Sequence, residues 1–573
     1  MKTKKQIWAS LFSIVFFQTI NYAQAPDWNW AISTGSNLND YGRCVTTDAA
    51  GNVYVTGSFK GTVDFDPGPN NFPLTSSGDL DVFIIKYNNA GIFSWAKSFS
   101  GQYTDEGFSI DVDSMGNIYT TGHFQDVVDF DPGIGTFNLT ANSGYDVFVA
   151  KLNSSGNLIW AKQIGGTSND EGLSLVVNSK GSVFVTGYFG STCDFNPDTS
   201  VVYNLTSAGS SDGYICMLDS SGTFGWAGRM GGTGVDYGES VSLHAQNSIS
   251  ITGHFSNTAD LNPKPLDSLI VTSAGSKDIF LVRLGETGDF FWARSMGGTS
   301  LDQGYSLTAD AAGNIFTTGI FNGTAEFNPS GTSNTLTSIG GADVFITKHD
   351  IAGKLIWVKQ IGGFGNEEAN TITIDASGIP AIYLSGSFFG TVDFDPSSTT
   401  TYNLNSTSDD IYVVALDTSG IFSWVQQAGG GNADYGQSLA TSVYGRIYLT
   451  GWFHSDTMSF GIHPLINTVT SGFSDYYLAE MNNFISSDSD SEKLFSIAIF
   501  PNPANERFSV LFPRKEKHIR LLIQDITGKT VFESSHENVN SFLVNTENIA
   551  NGFYSVMLFN GERVMSGKLI ITH

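Results

Sequence analysis

Pairs of acidic residues two positions apart are the first chemistry this sequence offers. Asp64 and Asp66 flank Phe65 ahead of Pro67, and Asp129 with Asp131 and Asp393 with Asp395 repeat the arrangement. Asp194/Asn196, Asp260/Asn262 and Glu326/Asn328 are close variants. Alternate residues of an extended segment face the same way, so each pair sets two oxygens side by side at a turn. Hard oxygen donors in that setting are the start of a calcium loop. The further ligands such a loop needs are not visible, and short acidic side chains also accept hydrogen bonds from turn amides. Turn-shaping is the favoured reading, and a calcium site is its alternative.

A second acidic beat runs through Asp40, Asp105, Asp170, Asp236, Asp302, Glu367 and Asp434. It is expected to cap turns one by one rather than to crowd a single face. A third position carries no fixed residue type. Between a repeating Gly and a repeating Phe stand Ser58, His123, Tyr188, His254, Ile320, Ser387 and Trp452. Fixed neighbours around a free centre make these seven the candidate ligand rim if they face one mouth of the fold. If they face bulk solvent, the variation means only indifference.

No catalytic constellation stands out. There is no nucleophile elbow leading from a strand into a helix, no His-Glu-x-x-His and no phosphate loop. His123 and His254 occupy the same slot in the second and fourth repeats, which argues against a shared metal. The three cysteines Cys44, Cys193 and Cys216 replace ordinary repeat residues and read as small core thiols. A Cys193–Cys216 bridge stays open in an oxidising compartment.

The elements that must position these residues come from a repeat. Gly116-Asn-Ile-Tyr-Thr-Thr-Gly-His-Phe124 is written seven times with small changes, and Trp30, Trp95, Trp160, Trp226, Trp292, Trp357 and Trp424 recur 65 to 67 residues apart. One unit parses into four strands: 107–113, 118–124, 146–151 and 158–162. The recurring Phe and Trp are expected to fill the space between units. Four antiparallel strands repeated seven times is the pattern of a propeller. The phase adds a closure. Trp28-Asn-Trp-Ala31 is a fourth strand lacking the first three, and Asp475-Tyr-Tyr-Leu-Ala-Glu480 is a third strand lacking its fourth. Joining the two would remove both sheet edges.

Composition agrees with this reading. Of 573 residues 64 are Gly, 13% are aromatic and 14% charged, which suits short strands and tight turns. The net charge is −27, and the acid surplus lies in the repeats, since 497–573 holds eight Lys and Arg against seven Asp and Glu. Such a field repels phosphate backbones, so no nucleic acid is expected as a partner. Residues 1–23 read as a signal peptide: Lys2, Lys4 and Lys5, an apolar run from Ile7 to Ile20, and cleavage after Ala23. The propeller then spans 24–484, a polar linker 485–496, and a small β-sandwich of about seven strands 497–573.

Two resemblances carry the reading further. Gly51-Asn-Val-Tyr-Val-Thr-Gly57 and Asp81-Val-Phe-Ile84, with their copies, resemble the bacterial seven-bladed β-propeller repeats of SBBP type. The fold class is therefore all-β: a seven-bladed propeller closed by an N-terminal strand and followed by a small β-sandwich. The tail resembles the type A sorting domain of the type IX secretion system of Bacteroidota. The matching pieces are Phe500-Pro501-Asn502-Pro503, then Asp525 through Gly528 and Lys529, then Gly552 and Tyr554, then Lys568. Phe553 stands where Leu or Thr is commoner. This resemblance implies the type IX machinery as partner and a secreted or surface-attached protein with no integral membrane segment after leader removal. The expected function is non-enzymatic binding or adhesion toward a polysaccharide or protein. The alternative is a glycan-active hydrolase or lyase with its site in the channel.

Overall fold

A computed structural model describes residues 25–482 except 245, 265–266, 330, 376–379 and 469–471. In the tail it describes 495–496, 498–500, 507–525, 529–547, 549–559 and 564–571. The leader, most of the linker, and Pro501, Asn502, Pro503 and Gly528 lie outside the described residues.

Each beat of the repeat folds into four antiparallel strands. In unit one these are Asp40–Thr47, Val53–Phe59, Asp81–Tyr87 and Phe93–Gly101, paired in that order. First strands recur at Glu106–Val112, Asp170–Val177, Tyr237–His244, Gln303–Ala309, Glu367–Asp375 and Asp434–Thr441. The Gly-Asn signature has a local cause. The Asp48 carbonyl accepts the Gly51 amide at 2.9 Å, and its carboxylate accepts the amides of Ala50 and Asn52, each at 2.9 Å. Closing that turn puts Gly51 at φ 78°, where a Cβ would be strained.

Unit seven draws on both ends of the repeat region. Its first three strands are Asp434–Thr441, Arg446–Phe453 and Asp475–Asn482, and its fourth is Trp28–Thr34. Ala31 stands opposite Ala479 and Thr34 opposite Tyr476 in an antiparallel register. Apolar layers separate successive units. One of them joins Val45, Val53 and Phe83 of unit one to Tyr448, Tyr476 and Leu478 of unit seven. The repeating tryptophans sit at these junctions: Trp160, Trp226 and Trp292 donate their indole N–H to Ser220, Glu286 and Ile351 in the next unit, at 3.2, 3.0 and 3.0 Å.

Three expectations are corrected. The connection between second and third strands is a hairpin as well as a loop. Its first arm pairs with the fourth strand of the preceding unit, as Gly165 with Asp194 and Gly297 with Glu326. The linker is shorter than 485–496, because Phe495–Ser496 pairs in parallel with Met565–Ser566 of the tail. The tail's described residues form six strands in one paired set, dominated by Arg507–Asp525 and Thr530–Asn545, 19 and 16 residues long. These long arms, with register breaks between Leu511 and Glu516, replace the several short strands expected.

Candidate functional site

The seven slot residues occupy one register. Each lies opposite the second residue after the turn into its unit: Ser58 faces Tyr41, His123 faces Glu106, Tyr188 faces Glu171 and His254 faces Tyr237. Ile320 faces Gln303, Ser387 faces Glu368 and Trp452 faces Tyr435. Directly opposite residues share a face of the sheet and touch. Every first strand then bulges one or two residues later, as between Gly42 and Cys44 and between Gly107 and Ser109. A bulge re-aims the extra side chain, and Arg43, Phe108, Glu239 and Tyr305 thereby join the slot residues.

The result is a chain of contacts that runs from unit to unit. Trp452 meets Tyr41 edge-on with centroids 5.3 Å apart, and the Arg43 guanidinium lies 4.9 Å from the Trp452 ring. Arg43 pairs with Glu106 at 2.8 Å, and Ser58 donates to the same carboxylate at 3.3 Å. His123 packs on Tyr145 at 4.3 Å and lies 3.6 Å from Glu171, an ion-pair distance rather than a hydrogen bond. Burial pushes Glu171 up, and His123, Tyr188 and Arg43 together more than offset it, so its carboxyl sits below the ordinary value. Tyr188 stacks on Tyr237 at 4.0 Å. Tyr237 in turn meets His254, whose ring nitrogens lie 3.3 Å from Glu239, 3.1 Å from Gln303 and 3.0 Å from Lys277. Burial, opposed by Glu239 and reinforced by Lys277, lowers the His254 pKa. His123 and His254 are therefore joined through Glu171, Tyr188 and Tyr237.

The slot residues are not the displayed surface that the sequence reading expected. Ser58, His123, His254, Ile320 and Ser387 are buried, and Tyr188 and Trp452 half-buried. The reason is position: the second strand lies between the first and third, so neighbours cover it. The more accessible groups are on the first strand, at Tyr41, Glu106, Glu171, Tyr237, Gln303, Glu368 and Tyr435. Sequence reasoning missed them, although the residue after each beat acid is always Tyr, Glu or Gln.

The acidic pairs serve their own turns. Asp64 accepts the amides of Asp66 at 3.2 Å and Phe72 at 2.8 Å, and Asp129 those of Asp131 at 3.0 Å and Phe137 at 2.8 Å. Asp393 does the same with Asp395 and Tyr402, while Asp66, Asp131 and Asp395 take Gly68, Gly133 and Ser397. In each pair one oxygen of each carboxylate takes these amides, which is the turn-shaping role. Among the described residues no group of three or more His, Cys, Asp or Glu gathers as a metal site. Cys44, Cys193 and Cys216 are free thiols.

The second beat is more deeply placed. Asp40, Asp105, Asp170, Asp236, Asp302, Glu367 and Asp434 are almost fully buried. They accept amides at the turn into their unit, as Asp170 from Gly166 at 2.7 Å and Gly190 at 3.0 Å. Asp40, Asp105, Asp170, Asp236, Glu367 and Asp434 each also feel a second buried carboxylate at the head of a third strand, Asp475, Asp81, Asp146, Asp212, Asp343 and Asp410 in the same order, and in the remaining pair Asp278 feels Asp302. Burial first, and for most of them the partner's charge as well, pushes Asp105 and Glu367 up to about 8 and Asp40 and Asp170 to about 7.

Of the tail signature, Asp525 accepts the Lys529 amide at 3.1 Å, and the Tyr554 hydroxyl donates to Ala550 at 2.7 Å. Gly552 opens the strand Gly552–Phe559, and Lys568 stands opposite Ser555 in the next strand. Residues 498–572 match the family described as Secretion system C-terminal sorting domain. The tail is a type IX sorting domain. The sorting domain marks the chain as secreted or carried at the cell surface, and it implies contact with the secretion machinery. No helix of the described residues is long and apolar enough to cross a membrane.

The repeats have relatives of their own. An uncharacterized WD repeat-containing protein of Acanthamoeba polyphaga mimivirus is 24% identical over 511 residues, 75% of this chain and 36% of the relative. Regulatory protein FlaEY of Caulobacter vibrioides is 28% identical over 141 residues, 25% of this chain and 15% of the relative. The chain thus spans well under half the length of either. Two solved structures align weakly: dimeric latent PorU from Porphyromonas gingivalis and a tetra-tandem repeat of a large adhesion protein. Identities are 12% and 10%, over 64% and 75% of this chain and 32% and 96% of theirs. Their TM-scores of 0.14 and 0.11 are too low to bear on the fold.

Proposed function

We propose that the seven units are the blades of a closed propeller of SBBP type, and that its rim of first-strand residues, with the half-buried Tyr188 and Trp452 of the slot, binds a ligand outside the cell. The leader and the sorting domain deliver it there, in a Bacteroidota-type envelope. The observation that carries the binding role is the contact chain from Trp452 through Arg43, His123 and Tyr188 to His254. Scaffold contacts alone do not require such a succession of unlike polar and aromatic groups, because the repeat is content with Ile320 at the same position. Aromatic faces beside fixed hydrogen-bonding groups suit sugars or peptide side chains.

The role is binding or adhesion without turnover. A glycan array and a reducing-end assay on the purified full-length protein test it together. Retention without new reducing ends is the expected result, and Tyr188→Ala is expected to weaken retention at least about tenfold in a protein that still melts cooperatively, a few degrees lower for the lost stacking on Tyr237. The Glu239–His254–Lys277 group is what favours the second reading, a glycan-active hydrolase or lyase. New reducing ends that vanish in His254→Ala would establish that reading instead.

Export is a separate expectation. Removing residues 498–572 is expected to leave the protein behind the outer membrane, with the medium and surface fractions depleted at least about tenfold by immunoblot. Unchanged surface or medium levels would contradict the assignment of the tail as the delivery signal.

A further inference from the structure

The rim sets a basic side chain beside each acid in one sector and none in the next. Glu106 has Arg43, Glu171 has His123, and Glu239 has His254 with Lys277 beyond it. Around unit six the described residues place no such base beside Glu368 or Asp409, and Glu368 instead feels the charge of Asp409. Asp409 occupies the position that Lys277 holds in unit four, immediately before the buried acid of the third strand. Unit six thus has an anion where unit four has a cation.

Two neighbouring positions depart from the repeat in the same place. After the Gly-Gly that ends the fourth strand, three units carry Thr167, Thr233 and Thr299, but the turn into unit six carries Phe364, 85% exposed. After the slot Phe, the other units carry Lys60, Gln125, Gly190, Ser256, Asn322 and His454, but unit six carries Phe389, 46% exposed. These two rings, with Gly341, Gly365, Asn366 and Asp409, line a cleft of about 420 Å³. Behind its Gly365 wall is Glu367, fully buried, whose Oε2 accepts the Gly363 amide at 2.8 Å while its Oε1 has no hydrogen-bond partner. A Cβ at Gly365 would stand 3.1 Å from that oxygen.

We propose that this cleft binds a protonated primary amine, seated between Asp409 and the faces of Phe364 and Phe389. The assignment rests on the reading of the rim as ligand-bearing and names the chemistry of one sector of it. An ammonium group supplies the hydrogen-bond donors and the charge that Asp409 and Glu368 lack, and exposed aromatic faces attract cations. Anions are repelled here, and a neutral sugar leaves the two acids uncompensated. The amine has two natural sources, a lysine side chain or an amino sugar.

Titration calorimetry of the full-length protein separates them. Nα-acetyl-lysine methylamide and glucosamine are the probes, and Nα-acetyl-norleucine methylamide and N-acetylglucosamine are their neutral counterparts. At least one amine is expected to bind saturably and at least about tenfold more tightly than its counterpart, and to weaken as salt rises. Asp409→Asn and Phe364→Ala are each expected to weaken it by a similar factor, and the second, at a side chain so exposed, leaves the fold intact. No saturable binding of either amine, equal binding of the neutral counterparts, or unchanged affinity in both variants overturns the proposal. A rim ligand retained equally by wild type and both variants overturns it too, while leaving the rim reading standing.

Discussion

A chain lacking residues 25–36 is expected to lose cooperative unfolding and to elute as aggregate rather than as monomer. The segment supplies the fourth strand of unit seven, and its two indoles are set into separate junctions. Trp28 is 5% exposed and meets Phe460 edge-on at 4.6 Å, within an apolar layer shared by units six and seven. Trp30 packs 6.2 Å from Tyr448 in the layer between units seven and one. A buried indole such as Trp28 covers on the order of 150–250 Å², about 4–6 kcal/mol at 25 cal/mol/Å², and the half-buried Trp30 adds part of that again. That is comparable with the whole net stability of a typical domain, about 5–15 kcal/mol. Deletion also bares the Asp475–Asn482 strand, an unprotected edge that templates association. Size-exclusion chromatography with a thermal melt checks both outcomes, and a monomer with an unchanged melt would show the strand to be dispensable.

The second large effect is expected from pH. Asp40, Asp105, Asp170 and Glu367, with carboxyls pushed up to about 7–8, hold protons in the folded state that the unfolded chain releases near pH 4. A raised carboxyl gives its full stability below the unfolded value and loses it as pH rises through the folded one. The melting temperature is therefore expected to fall between pH 6.5 and 8.5, on the order of 5 °C. His244 and His349, held down to about 4 by burial, act in the opposite sense below pH 6.5 and so leave this window alone. Asp105→Asn is expected to flatten the slope, because the Asp105 oxygen without a hydrogen-bond partner lies in the field of Asp81. A melting temperature that rises across the window, or a slope untouched by the variant, would contradict the role of these paired acids.

Much of the architecture was legible because it is written seven times. The tryptophan beat, four strands per unit and the two unmatched strands all follow from spacing and alternation, which local sequence carries directly. The site was legible only in part. Ser58, His123, Tyr188, His254 and Trp452 were identified by their variability, but their neighbours depend on register and on the bulges after Gly42 and Gly107, which no single strand reveals. Arg43 against Trp452 and Glu171 against His123 are contacts between different units. The partner acids at Asp81 and its equivalents were visible as a motif, but their meeting with Asp105 and its equivalents is a tertiary fact. The hairpins that pair Gly165 with Asp194 escaped because three-residue arms give no period to read.

The central claim is that the first and last strands of the repeat region are neighbours in one sheet. Replacing Ala31 and Ala479 by cysteine, and separately Ile32 and Leu478, puts thiols at directly opposed positions of that pair. In an antiparallel ladder one of two successive pairs is of the close, non-hydrogen-bonded kind, with Cα atoms about 4.5 Å apart, within disulfide reach. Mild oxidation of the folded protein should therefore link residues 31 and 479, or 32 and 478, in a single cross-linked peptide seen by mass spectrometry. Failure of both pairs to form that intramolecular bond would mean that the two strands do not meet.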